Sequence, residues 1–294
     1  MALLLSVLEQ GMIYGILALG VYITYKILDF PDLTVDGSFP LGAAVTVRLI
    51  GLGAPAAMTL PAAFLSGALA GLCTGLIHVK LKVRDLLSGI VMMTGLYTVN
   101  LWIAGSGYVP IFHKSTVFDN GLVNAVFGGA FSRVKTVLII LVITVAAKSV
   151  LDWYLSTKSG FLLRAAGEND TIVTSLGADQ GLVKMVGLSI ANGLVALSGC
   201  IYAQQQRSFE ISIGTGAVVI GLASVIIGTN LFRRAAFLRI TSGVILGSVL
   251  YKACVALAMF AGIGANAIKL VTAVLFLIIL VASMDRKKVK RCCN

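Results

Sequence analysis

Nine apolar stretches divide this chain, at roughly 3–25, 37–52, 57–79, 86–105, 135–153, 184–204, 213–231, 236–260 and 265–284. A helix rises about 1.5 Å per residue, so about 20 apolar residues cross the hydrocarbon core of a bilayer. The reading is an all-α, polytopic integral membrane protein of about nine transmembrane helices (eight to ten). The second stretch is short and interrupted. Loops are brief, and no sizeable soluble domain fits, so residues 1–294 form one transmembrane domain. Hydrophobic residues make up 58% of the chain and charged residues 12%. That charged share is about half the usual one for a soluble domain. A water-soluble fold has nowhere to bury so much apolar surface, which excludes a soluble enzyme.

The charge balance sets the expected orientation. Lys and Arg total 23 against 12 Asp and Glu. In a membrane protein such an excess marks cytoplasmic loops beside anionic lipid rather than nucleic-acid binding. Arg286, Lys287, Lys288, Lys290 and Arg291 put the C-terminus in the cytoplasm. Alternation then puts Arg233, Arg234, Arg239, Lys148, Lys158, Arg164, Lys184, Lys80, Lys82, Arg84 and Lys26 on the same side. The N-terminus is expected outside. No Lys or Arg precedes Lys26, so the basic start of a cleaved signal peptide is missing. Cys73, Cys200 and Cys254 lie in apolar runs as small hydrophobes, and Cys292 and Cys293 end a solvated basic tail. No disulfide framework is implied. His78 and His113 are the only histidines, and no metal-ligand spacing or Ser/His/Asp set is visible. Catalytic and metal sites are therefore not expected.

Glycines four apart (Gly67, Gly71 and Gly75; Gly11 and Gly15; Gly243 and Gly247) share a helix face and let helices approach closely. An internal repeat is more informative. Shifted by 178 residues, Gly15-Ile16-Leu17-Ala18-Leu19 falls on Gly193-Leu194-Val195-Ala196-Leu197. Asp32-Leu33-Thr34-Val35 then falls on Glu210-Ile211-Ser212-Ile213. Five spans separate the copies, so their orientations are opposite. Inverted repeats with broken helices are a transporter signature. The halves are about 1–134 and 184–294, joined through the span 135–153 and a loop at 156–181.

Each copy carries a polar break. The first, Asp29 to Pro40, has two prolines and a glycine, which cannot continue a regular helix. Its Asp29, Asp32, Thr34, Asp36 and Ser38 are pathway or gate candidates at the cytoplasmic end. The alternative is a solvated loop in which Asp36 or Ser38 caps the next helix. The second break, Gln204 to Glu210 and onward, would sit at the outer face, with Arg207, Glu210 and Ser212 as candidates. In the loop at 156–181, Asn169 or Asp170 can start a short helix that Gly177 ends, presenting Ile172, Val173 and Leu176 as a docking surface.

The stretch Arg164–Gly177 resembles the cytoplasmic loop of bacterial ABC importer permeases of the ribose and branched-chain amino-acid class. That loop usually reads Arg-Ala-x-Gly-x-Asn, then a short helix, then Gly. Asp32-Leu33-Thr34-Val35-Asp36-Gly37-Ser38 resembles the Asp-Leu-Ser-Val-Gly-Ser stretch of the sugar permeases in this class. Gly228-Thr229-Asn230-Leu231-Phe232 follows in family order, so the likeness covers nearly the whole chain. Ile172 and Val173 replace the usual paired alanines, Asp36 is an insertion, and the first span of many ribose-type members is missing. Asp29 to Gly37 looks most like an amino-acid-type branch linked to tryptophan or tyrosine uptake.

The resemblance implies the permease subunit of an importer that moves a small amino acid, aromatic in the branch it looks most like, into the cell by alternating access. Arg164, Gly167, Glu168, Asn169, Ile172, Val173, Leu176 and Gly177 would form the loop that docks on an ATPase subunit. The chain lacks the Gly-x4-Gly-Lys-Ser/Thr loop that cradles phosphates, so ATP and Mg would sit on that separate subunit and this chain would bind no cofactor. The other implied partners are an extracellular or periplasmic substrate-binding protein, a second permease copy or paired permease, and membrane lipid. The expected location is the bacterial inner or plasma membrane. A sugar or nucleoside ABC importer and an ion-coupled secondary transporter stay open as alternatives; a membrane enzyme would need paired polar chemistry deep in the bilayer.

Overall fold

A computed structural model describes residues 2–112, 114–119, 134–168, 174, 177–232 and 239–260, with scattered positions between 270 and 281. The fold is helical. α1 (Ala2–Tyr22) runs on into a π-helical turn, Ile23–Ile27. After an irregular stretch come α2 (Val35–Gly51), α3 (Thr59–Leu81) and α4 (Asp85–Ala104). The second half holds α5 (Lys135–Leu155), α6 (Lys158–Glu168), α7 (Gln180–Gln206), α8 (Ala217–Leu231) and α9 (Ile240–Phe260). Among the described residues, seven helical stretches are long and apolar enough to cross a membrane. The expected second span is the 17-residue α2, about 25 Å long at the α-helical rise and too short to cross alone. Most of the ninth stretch lies outside the described residues.

α7 is the axis of the fold, with its middle residues Ala191 to Ala196 nearly all buried. Small residues explain why three helices crowd it. A Cβ on Gly67 or Gly71 of α3 would strike the backbone of Asn192 or Leu188, and one on Gly42 of α2 would strike the Ala196 carbonyl. In a bilayer, helices are held by van der Waals contact, so backbone proximity is where their adhesion comes from. On the other side, Gly11 and Gly15 of α1 seat Val249, Ser248 and Ile245 of α9.

The crossing of α1 and α7 is antiparallel and reciprocal. Ser198 Oγ donates to the Ile13 carbonyl at 2.7 Å, while Gly20 lies against the Ala191 carbonyl. Positions 20 and 198, and 13 and 191, are each 178 apart. Helices start at 2, 35 and 59 and again at 180, 217 and 240, offsets of 178, 182 and 181 residues. A two-stranded sheet, β1 (Tyr108–Pro110) against β2 (Ser208–Glu210), closes the end of the molecule where α7 finishes.

Candidate functional site

The first break starts where α1 loosens into its π-turn. Leu28 N donates to Ile23 O and Phe30 N to Thr24 O, each at 2.9 Å. Asp29 is exposed and left-handed, with φ +52°. Pro31 then turns the chain inward. Asp32 is 5% exposed and Thr34 and Ser38 are fully buried. Asp32 Oδ1 accepts from Thr34 N at 2.8 Å, and Oδ2 accepts from Asn192 Nδ2 at 2.8 Å. Ser38 Oγ donates to Asn192 Oδ1 at 2.7 Å, and Thr34 pairs with Thr74 at 2.9 Å. Asn192 lies about 18 Å from the start of α7 and about 21 Å from its end at the α-helical rise. The first turn of α2 is therefore buried near the middle of α7. This part of the break is not a solvated loop, because the side chains of Asp32, Thr34 and Ser38 are buried and each has a protein partner.

The second break runs from Arg207, left-handed at φ +55°, through β2 and a 3₁₀ turn at Ile211–Gly214 to α8. Arg207 pairs with Asp119 at 2.8 Å, and Ser212 donates to Glu210, which is exposed. Asp36 joins the two breaks. Its carboxylate accepts from Gly216 N at 3.0 Å and Val218 N at 2.8 Å. It thus caps α8, whereas α2 starts at Thr34 with no side-chain cap. This differs from the alternative in which Asp36 or Ser38 caps its own helix: Asp36 bonds the start of α8 and Ser38 bonds Asn192. Pro40 has no N–H to offer the Asp36 carbonyl four residues back. Gly214 packs against that carbonyl so closely that a Cβ there would overlap it. Positions 36 and 214 are again 178 apart.

A pocket of about 280 Å³ opens beside this junction, lined by Asp36, Gly37, Pro40, Ile211, Thr215 and α4 residues Met93, Thr94, Tyr97 and Asn100. Asn100 Nδ2 donates to the Gly37 carbonyl at 3.1 Å. Its Oδ1 is buried with no hydrogen-bond partner.

The segment at α6 packs against the first break from its Ile27 side. Gly167 in α6 lies against the Ile27 carbonyl and Leu28, and Leu28 also wedges between Leu163 and Gly187. Arg164 and Glu168 are exposed on α6, and Gly177 is left-handed at φ +73°. Asn169, Ile172, Val173 and Leu176 lie outside the described residues.

A family model described as the branched-chain amino acid transport system permease component matches residues 3–283. The chain belongs to this permease family. The tyrosine transport system permease protein of Clostridioides difficile (strain R20291) is 38% identical over 274 residues, covering 93% of this chain and 89% of that one. Ribose import permease protein RbsC of Escherichia coli (strain K12) is 27% identical over 228 residues, covering 76% and 68%. A solved inward-facing conformation of a metal-chelate type ABC transporter shares the fold, with TM-score 0.53 and 14% identity over 95% of this chain and 84% of that one. This is a multi-pass membrane permease of the ABC transporter class.

Three residues that position the permease's site had escaped the sequence reading. Asn192 ties α7 to the first break, Thr74 holds Thr34, and Asn100 lines the pocket. The available signal was an amide inside an apolar span, which is costly unless it has a purpose there. The arrangement can hold two helix N-termini at a fixed depth beside a pocket walled by Met93, Tyr97, Ile211 and Pro40.

Proposed function

We propose that this permease is the membrane subunit of an ATP-driven importer that carries a small amino acid with an aromatic side chain. The observation that supports it best is the junction at Asp36. Two helices begin inside the membrane there, beside a pocket, and Asp36 ties one start to the other. Broken helices meeting at the repeat interface are where transporters of this architecture place substrate. The reciprocal α1–α7 contacts, 178 residues apart, support an inverted repeat with the halves about 1–134 and 184–294. The Met93, Tyr97 and Ile211 walls favour an apolar side chain over a sugar, which would need many more paired polar groups. The relative described as a tyrosine permease agrees.

A separate ATPase, holding ATP and Mg, would dock on the α6 loop at Arg164, Gly167, Glu168, Asn169, Ile172, Val173, Leu176 and Gly177. Lys26, Lys80, Lys82, Arg84, Lys148, Lys158, Lys184 and Arg239 gather on the face that carries this loop, which supports its being cytoplasmic. The substrate-binding protein would meet the opposite face, near Arg207, Glu210 and Ser212, and a second permease copy would complete the pathway. Closure of the ATPases would pull α6, and the Gly167 contact would pass that movement to Ile27 and the first break. Ion coupling is a weaker reading. Asp32 and Asp36 are each held by two protein donors, which leaves little for a transported proton or cation to gain.

Affinity purification of the tagged chain from native membranes, with mass spectrometry, tests the docking loop. Wild type should bring down an ATPase, and Glu168→Arg with Val173→Asp should lose it. Recovery of wild type without any ATPase across several mild detergents would overturn the reading.

A further inference from the structure

A second, larger cavity lies away from the pocket beside Asp36. It measures about 720 Å³ and lies where α5, α6 and α9 come together, on the face that carries the docking loop. Three cations line it, Lys148, Arg164 and Arg239, against one carboxylate, Asp152. Asp152 accepts from Thr241 at 2.7 Å and pairs with Lys148 and Arg239 at 3.3 Å each. That carboxylate is nearly buried, so it orders the two cations while neutralising only one charge. Arg164 has no ion-pair partner among the described residues. The cavity therefore keeps a net charge of two positive and at least one free guanidinium fork, the geometry that grips a phosphate through two parallel hydrogen bonds.

The surroundings say which kind of phosphate. Trp153 is 71% exposed and Phe161 62% exposed, both on the cavity wall. Trp is enriched where spanning helices leave the hydrocarbon, and α5 and α9 both end here. A free phosphate would make no use of this apolar rim. A phospholipid would use both parts, with its phosphate against the cations and its acyl chains along the exposed aromatic surface.

We propose that this cavity binds the headgroup of an anionic phospholipid. The bound lipid would tie α6, through Arg164, to the ends of α5 and α9, and so hold the base of the docking loop at the membrane surface. The inference rests on α5 and α9 being membrane spans, and not on the identity of the transported solute.

The test uses the purified full chain, delipidated in detergent. Phosphatidylglycerol, phosphatidylcholine and inorganic phosphate serve as separate probes, and bound copies are counted by native mass spectrometry. Wild type should retain one phosphatidylglycerol and show no equivalent phosphatidylcholine or phosphate. A basic residue at such a surface is worth about fivefold in lipid affinity, so Arg164→Gln should lower retention about fivefold and Arg164→Gln with Arg239→Gln about twenty-five-fold. Arg164→Lys should restore most of it. Arg164 is exposed and unpaired, so its single variant reads out binding in a folded protein. Equal retention by the double variant, equal retention of phosphatidylcholine, or phosphate binding that displaces the lipid would each overturn the assignment. So would a double variant that keeps its lipid but loses its ATPase, which would mark the cavity as a protein-docking surface.

Discussion

Replacing Asp36 with alanine would remove both bonds that hold the start of α8, to Gly216 N at 3.0 Å and Val218 N at 2.8 Å. A hydrogen bond to a charged group contributes about 1.5–3 kcal/mol, and loss of a helix cap costs about 1 kcal/mol. Asp36 is only half-buried, so the sum is discounted for solvent screening to about 2–3 kcal/mol. For a chain of this size that corresponds to a fall in Tm of about 3–5 °C. Asp36→Asn keeps the shape but offers one acceptor where two are used, and its amide N–H₂ faces a backbone N–H. It should lose about half as much. Asp29→Asn is the control, since Asp29 is exposed and asparagine tolerates its left-handed backbone. The assay is thermal unfolding of the purified chain in one detergent. A Tm for Asp36→Ala within about 1 °C of wild type would refute the cap and the junction built on it.

Three further outcomes are expected. Asn192→Leu strands the Asp32 carboxylate and the Ser38 hydroxyl and should cost about 3 kcal/mol, whereas Asp32→Leu with Asn192→Leu should cost less than the two single changes added, measured as a double-mutant cycle in Tm. Gly167→Ala drives a methyl into the Ile27 carbonyl, so the variant should still bind its ATPase while ATP-driven uptake falls at least about tenfold, a loss of about 1.4 kcal/mol in coupling. Tyr97→Ala removes an aromatic wall of the smaller pocket and should raise the KM for an aromatic substrate with little change in Tm, because Tyr97 is 53% exposed.

The helices were legible because apolar runs of this length have few alternatives in a bilayer, and α3 and α4 match their expected limits within about two residues. Depth was not legible. Nothing in Asp29 to Pro40 says that Asp29 faces solvent while Asp32, three residues on, is buried against the middle of α7. That difference comes from Asn192, which is 160 positions away. The same holds for Asp36. A carboxylate just before an apolar run reads as a cap for its own helix, but the helix it caps starts 181 residues later. The repeat register of 178 was the one long-range signal in the sequence. The proposed repeat is supported by the Gly20–Ala191, Ser198–Ile13 and Asp36–Gly214 contacts, whose members pair off at that spacing, while Asp32 and Glu210, which suggested it, bond to different residues.

The most direct test of the account is uptake of labelled tyrosine into proteoliposomes that hold the permease, its ATPase and its binding protein, with and without ATP inside the compartment where the ATPase sits. The account predicts accumulation that requires ATP hydrolysis, is competed by other aromatic amino acids and not by ribose, and weakens in Tyr97→Ala. Uptake that proceeds without ATP and follows an imposed proton or sodium gradient would contradict it.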